Sequence, residues 1–281
     1  FTQPTSKTVL FLQPTSLLHL ALIQNGRHYG CTPLSYLGIS EGVGVFPGLI
    51  LGLLGSVLIG LINGYLVGYL QIPSLVVTLG TLFAFRGVAL AVTESGFFFT
   101  VSKEVKANQL YQLLGGGEIF GLNTAIIWLV IMVVVVHIFL FFTPGGNRMM
   151  AVGGDMPSAN SRGVNVRLIK MGAFIASAFL AGFAGILQAS AIGVAEGSFG
   201  RQMELSAIAA AVLGGCVLGG GRSSVIGTVL SAFVLTGIKS YLIVGGIDAQ
   251  WYMLLLGFIV VAATFANRLI NGVVARVARA R

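Results

Sequence analysis

Residues 45–70 read VFPGLILGLLGSVLIGLINGYLVGYL, without one Asp, Glu, Lys or Arg. An α-helix needs about 20 mostly apolar residues to cross the hydrocarbon of a bilayer, and this stretch exceeds that. It carries small residues at every fourth position: Gly52, Ser56, Gly60, Gly64 and Gly68. On a helix they form one smooth stripe, which lets a second backbone approach closely. Residues 75–92, 124–142, 169–193, 225–244 and 251–270 are further apolar runs of spanning length. The run 169–193 repeats the device with Ala173, Ser177, Ala181, Gly185 and Ala189. Each stripe reads either as bundle packing or, more sharply, as a surface along which helices slide. Residues 206–219 are apolar but short for a full crossing. They form a re-entrant helix, a broken one, or a span extended by its neighbours, and such interruptions are tolerated only where protein or a cavity surrounds them. The expected fold is all-α: a polytopic transmembrane helix bundle of about seven membrane segments, one of them short or re-entrant.

Composition agrees. Of 281 residues, 56% are hydrophobic and 9% charged, against about 25% charged in a soluble domain. So few charges cannot coat a water-exposed globule of this size. An ordinary soluble enzyme, a disordered chain and a nucleic-acid-binding domain are excluded despite the net charge of +8. There are 40 glycines, about twice the usual share of roughly 7%, without a G-X-Y period. Cys31 and Cys216 make neither a disulfide framework nor a metal site, and Cys216 reads as a small packing residue in a glycine-rich run.

The basic residues are unevenly placed. If the loop between residues 142 and 169 is cytoplasmic and there are seven crossings, that side holds Arg148, Arg162, Arg167, Lys170, Arg222, Arg268, Arg276, Arg279 and Arg281. The opposite side holds Lys103, Lys106 and Arg201, joined by Lys7 and Arg27 if the start of the chain is outside. Cytoplasmic loops carry the Lys/Arg excess, so the expected C-terminus is cytoplasmic. The bias is lost, and reversed, unless 206–219 crosses.

Residues 1–41 are richer in Gln, Thr, Ser and His, and carry a near-repeat, FTQPTS at 1–6 and FLQPTS at 11–16. They lack the pattern of a signal peptide. The expected organisation is an atypical, poorly ordered or peripheral segment 1–41, a transmembrane domain 42–270 and a basic cytoplasmic tail 271–281.

Catalytic patterns are missing. The glycine-rich stretch Gly219-Gly220-Gly221-Arg222-Ser223-Ser224 has no lysine and is not a Walker A loop, so ATP hydrolysis is expected on a separate chain. His19, His28 and His137 are too scattered for a metal site. No cofactor is expected. His137 lies inside an apolar run, where it faces a cavity or, on the favoured reading, bonds a neighbouring helix. Charges in the membrane must snorkel, pair or line water. Lys239 is close enough to the end of its run to snorkel; Arg86 pairs near the outer leaflet or lines a pathway. Asn63, Thr78, Thr81, Arg86, Gln188 and Ser206, polar side chains in apolar segments, are the candidates for a translocation path.

The loop itself reads AVGGDMPSANSRGVNV over residues 151–166. Asp155 is placed to cap a short helix with Pro157 in its first turn, and Gly163 to stop it. This is an ordinary loop or a docking helix for a cytosolic partner.

At this loop the sequence resembles the permease subunits of bacterial ABC importers for simple sugars, the ribose, xylose, arabinose and galactose group, whose loop has the form A-x-G-G-N-x-x-A-A-x-x-S-G-I-N-V. Ala151, Gly153, Gly154, Ala159, Gly163, Asn165 and Val166 match; Asp155, Pro157, Ser158 and Arg162 depart from the pattern. GLINGYLVGYLQIPSLVVTLGTLFAFR at 60–86, ELSAIAAAVLGG at 204–215 and GGRSSVIG at 220–227 follow in the family's order. The blocks run from about residue 49 to 270. Residues 1–41 lack the family's G-G-I-D-L-S-V-G segment, so the start is expected to be truncated, divergent or read in a shifted frame.

The resemblance implies a transport subunit rather than an enzyme, in the bacterial plasma (inner) membrane. A second permease subunit, two cytosolic ATPase subunits and a periplasmic substrate-binding protein complete it. Asp155, Met156, Ser158, Ala159, Asn160, Arg162 and Gly163 would form the coupling helix on which the ATPase docks. Permeases for branched-chain amino acids, nucleosides or a signalling sugar are the near alternatives. A stand-alone secondary transporter is the distant one, and a non-functional remnant the blandest. Replacing Gly163, or placing bulk at Ala159, is expected to uncouple ATP hydrolysis from uptake; normal uptake by such variants would remove the docking assignment.

Overall fold

The computed structural model describes residues 45–92, 99–100, 106, 108–119, 121–195, 203–217, 221, 223–246 and 251–265. The readings made for residues 1–41 and 271–281, and for Arg222, lie outside these. Helices dominate: α1 (Val45–Gly68), α2 (Ser74–Val92), α3 (Gln109–Tyr111) running into a π turn (Gln112–Gly116), α4 (Thr124–Phe142), α5 (Pro144–Gly154), α6 (Met156–Ser161), α7 (Val166–Ile192), α8 (Met203–Leu213), α9 (Val225–Val244) and α10 (Trp251–Phe265). The strands among the described residues form two antiparallel ladders. β1 (Phe99–Thr100) pairs with β4 (Val194–Ala195), and β2 (Glu118–Ile119) with β3 (Leu122–Asn123). α1, α4, α7 and α9 are long and apolar enough to cross a membrane; α2, α8 and α10 are shorter apolar helices over their described residues. The all-α polytopic expectation holds.

α1 and α7 make the most extensive helix contact among the described residues. The small stripe of α1 is its cause. A Cβ at Gly60 would collide with Ala178 Cβ and stand 2.8 Å from the Phe174 carbonyl oxygen. At Gly64 it would meet the Met171 Cα at 3.0 Å, and at Gly68 the Arg167 carbonyl oxygen at 3.1 Å. Partner numbers fall as α1 numbers rise, so the helices run antiparallel. Val67, Val77 and fully buried Phe174 continue the packing to α2.

These pairings sort the ends of the molecule. The end of α1 meets the start of α7, at the same end as the 143–165 loop. At the far end, Tyr111 donates its hydroxyl to the Ser190 carbonyl at 2.9 Å, and Trp128 Nε1 donates to the Leu113 carbonyl at 2.9 Å. Burial pushes the Tyr111 phenol above its usual range. β4 follows α7 at this far end. Gly214, just past α8, lies against Gly227 and Thr228 at the start of α9. α9 starts at the loop end, since Ser223 and Gly221 touch α5. Residues 195 and 214 therefore stand at opposite ends of the described structure, with the short segment between them in sequence. Its helix has 11 residues, about 16 Å at 1.5 Å per residue.

His137 corrects one expectation. Its Nδ1 is buried without a hydrogen-bond partner, and its ring lies 4.9 Å from that of Phe141, so aromatic packing replaces the expected bond at that nitrogen. Lys239 Nζ stands 5.8 Å from the centre of the Tyr252 ring, a cation–π contact.

Gly60→Ala is expected to destabilise the protein by about 1–3 kcal/mol, as overpacking does. Gly80→Ala, with nothing within 4 Å of the added carbon, is expected to leave stability unchanged or raised. Melting temperatures of the two variants in one detergent check this; equal losses would contradict the α1–α7 contact.

Candidate functional site

The loop between α4 and α7 folds into two capped helices. Thr143 Oγ1 accepts from the Gly146 amide at 3.2 Å and donates to the Phe139 carbonyl at 2.6 Å, while Pro144 opens α5. A Cβ at Gly146 would strike the Phe139 and Leu140 carbonyls, so only glycine allows α5 to fold back this tightly. Met149 and Val152 anchor α5 inward, Met149 against Ala173 of α7. The sequence reading missed α5, because glycines at 145, 146, 153 and 154 argue against a helix. The signal that does mark it is the Thr-Pro start, a cap followed by proline at the first helical position.

Asp155 ends α5 and begins α6. Its amide donates to the Ala151 carbonyl at 3.1 Å, and its carboxylate accepts from the Ser158 amide and hydroxyl. Pro157 sits in the first turn. Gly163 adopts φ 79°; its amide donates to the Asn160 carbonyl at 2.9 Å and the Val164 amide to the Ala159 carbonyl at 3.1 Å. That pair of bonds is a Schellman end. Asn165 then caps α7 through the Leu168 amide at 3.3 Å. The cap, the tolerated proline and the glycine stop stand as the spacing predicts.

α6 presents Asp155, Ser158, Asn160, Arg162 and Gly163 to the outside, with Met156 half-buried. Ala159 is 4% exposed and turns inward. It seats the helix on its neighbours, so a larger side chain there would lift α6 off.

The other six residues are not gathered around one cavity. Asn63 is fully buried on the α1 face toward α7, and both polar atoms of its amide lack a hydrogen-bond partner. Thr81 Oγ1 donates to the Val77 carbonyl at 3.0 Å, and Thr78 Oγ1 to that of Leu75 at 3.2 Å, both within α2. Arg86 is half-buried on α2, and Gln188 half-buried near the far end of α7. Ser206 Oγ lies 3.5 Å from the Tyr252 hydroxyl. A cavity of about 560 Å³ between α1, the π turn, α4 and α7 is lined by apolar side chains, Leu53, Leu113, Trp128 and Phe179 among them. It offers a sugar nothing to bond.

Asp155→Ala is expected to speed amide hydrogen exchange across residues 156–163 by the loss of a cap, about 1 kcal/mol. Asp155→Asn is expected to keep protection, since Asn caps as well. Gly163→Ala is expected to match the Ala cap variant, because a left-handed non-glycine residue costs about 1–2 kcal/mol. Exchange mass spectrometry of that segment decides it.

With this geometry in view, the comparisons with known proteins are consistent. Residues 15–264 match the family described as branched-chain amino acid transport system / permease component. The match reaches further back than the motif blocks. The chain is 34% identical over 204 residues to the probable ABC transporter permease protein YphD of Escherichia coli K12, which covers 72% of this chain and 59% of that one. It is 36% identical over 234 residues to the autoinducer 2 import system permease protein LsrC of Escherichia coli O157:H7, covering 83% and 65%. The LsrC of Photorhabdus laumondii is 34% identical over 232 residues, covering 83% and 68%. The chain thus spans roughly three fifths to two thirds of these relatives' lengths. No solved structure matches. The chain belongs to the permease-component family of the branched-chain amino acid transport system type, the family of ABC transporter permeases.

Proposed function

We propose that the chain is the transmembrane permease subunit of an ATP-driven importer, and that it carries a monosaccharide or a sugar-like molecule delivered by a periplasmic binding protein. The single observation that carries the docking half is α6: a capped, polar, exposed helix of six residues, seated by Ala159 where the ends of α1 and α4 meet the starts of α7 and α9. A mobile loop would transmit nothing. A helix capped at both ends moves as a unit when a partner pushes it. Asp155, Ser158, Asn160 and Arg162 are the contact face for a cytosolic ATPase, with Met156 beneath them and Gly163 and Ala159 as shape.

The loop end is then cytoplasmic and so is the C-terminus, in the bacterial inner membrane. Arg148, Arg162, Arg167 and Lys170 lie at that end of the described structure, as positive charge prefers. A second permease subunit completes the path. Asn63 is the path residue with most weight, because a buried amide without partners costs about 1–3 kcal/mol and packing alone gives no reason to keep it. The resemblance to sugar permeases and the absence of charge along α1 favour a small neutral polar substrate. ATP-driven switching works as differential stabilisation of two states, so the permease contributes geometry and no covalent chemistry.

Co-purification of the cognate ATPase with the tagged permease tests the reading. Arg162→Glu and Asn160→Lys are expected to lose the ATPase while their melting temperatures stay unchanged. If both variants retain it, α6 is not the docking helix.

A further inference from the structure

Two glycine contacts connect α6 to the interior of the bundle. The first is at the end of α5, one peptide bond from the α6 cap. A Cβ on Gly154 would stand 3.5 Å from Gly221 Cα, and one on Gly221 3.4 Å from Gly154 Cα. The two backbones face each other with room for a methyl group between them, and beside them Ser223 Oγ donates to Met150 Sδ at 3.4 Å. The second contact follows directly. Ser224 caps α9 by accepting from the Gly227 amide at 3.0 Å, and a Cβ on Gly227 would strike the Gly214 carbonyl. From the other side of the same contact, a Cβ on Gly214 would lie 2.5 Å from the Thr228 amide nitrogen and 2.6 Å from the Thr228 Cα. Cys216 fills the space below, its Sγ 3.3 Å from Thr228 Oγ1.

From Gly214 the connection runs up α8. Ala209 and Ala210 are buried against Leu235 of α9 and Tyr252 and Leu256 of α10, and Ser206 reaches the Tyr252 hydroxyl. Backbone-to-backbone contacts have no rotamers through which to yield, and packed elements switch between discrete arrangements instead of deforming continuously. By contrast, nothing lies within 4 Å of a Cβ built at Gly163, so the other end of α6 is free of such a joint.

We propose that α5–α6, Gly221, Ser223, Ser224 and the joined ends of α8 and α9 move as one rigid block, so that displacement of the docking helix is delivered through Gly154, Gly221, Gly227 and Gly214 to the short helix α8. This rests on the docking reading and extends it: α8 is the element that the ATPase moves. Gly154 and Gly214 are positioning residues and touch no substrate.

The test uses the assembled transporter with the pair Gly154→Cys/Gly221→Cys, in a background of Cys31→Ser and Cys216→Ser. The backbone separation suits a disulfide. The expected result is a cross-link that forms in equal yield without nucleotide and with a non-hydrolysable ATP analogue, and uptake that survives oxidation. Loss of uptake on oxidation with recovery on reduction overturns the proposal, because it shows that the two segments must separate. A yield that falls in one nucleotide state, or a cross-link that never forms, overturns it too. A cysteine at Gly221 takes on the strain of φ 85°, so Met150→Cys/Ser223→Cys, bridged by a short bis-methanethiosulfonate that forms a disulfide with each thiol and is removed by a thiol reductant, provides a second pair without that strain; the same three outcomes apply, with addition of the reagent in place of oxidation. Failure of the docking reading is visible separately, as an unmodified permease from which the ATPase does not co-purify.

Discussion

The distance between the backbones of α1 and α7 is the constraint on which the rest of the molecule depends. In a bilayer, water exclusion does not draw helices together, since lipid tails are as apolar as leucine; close van der Waals approach does. Gly60, Gly64 and Gly68 remove every Cβ from one face of α1, and the α7 backbone fills the vacated space from Arg167 to Ala178. Once those two helices are fixed antiparallel, α2 packs on Phe174, the π turn packs on the end of α7, and the α4–α7 loop has a floor to fold on. Asn63 lies fully buried on the same helix, with both polar atoms of its amide unpartnered.

Glycine does different work at the loop end. At Gly146 it allows a sharp reversal between two helices, and at Gly163 a left-handed stop. At Gly154 and Gly221 it lets two chain segments meet without side chains between them. The 40 glycines are therefore not one property. Their roles separate only when the neighbour of each is known, which is why α1 wears its glycines as a stripe and the loop scatters them.

The spans were legible because their signal is long. Residues 124–142 and 225–244 have the predicted limits to the residue, since a polar cap stands immediately before each run: Asn123 before α4 and Ser224 before α9. α6 was legible for the same reason, as Asp155, Pro157 and Gly163 each act locally. α5 was hidden because its stability is tertiary: Met149 and Val152 hold a glycine-rich helix against α7, and propensity carries no record of that. The inward turn of Ala159 was hidden likewise, because six residues are too few to show a face. The stripe on α7 is buried for most of its length, as bundle packing requires. Residues 173, 177, 181 and 185 are buried, and the atoms nearest the three α1 glycines belong to Arg167, Met171, Phe174, Ile175 and Ala178 of the same helix. Spacing names the face of a helix and leaves the partner's exact line of contact to packing.

The short helix α8 shows how a half-length element survives in such a bundle. Each backbone group left open within the hydrocarbon costs several kcal/mol, so a helix that stops early must satisfy its last carbonyls from within. Gly215 at φ 90° lets its own amide reach the Val212 carbonyl at 3.2 Å and turns the Cys216 amide onto the Ala211 carbonyl at 2.9 Å. α6 ends by the same pair of bonds. The remaining exposure is covered by protein: Ala207 and Ala209 through Val212 are buried, as are Cys216 and Thr228 beneath the turn. Alanine along the helix and glycine past its end give α8 a narrow profile between α9 and α10. A narrow helix with a sealed end can move together with the joined start of α9 without exposing a polar group, which is the mechanical quality that the proposed transmission through Gly214 and Gly227 requires.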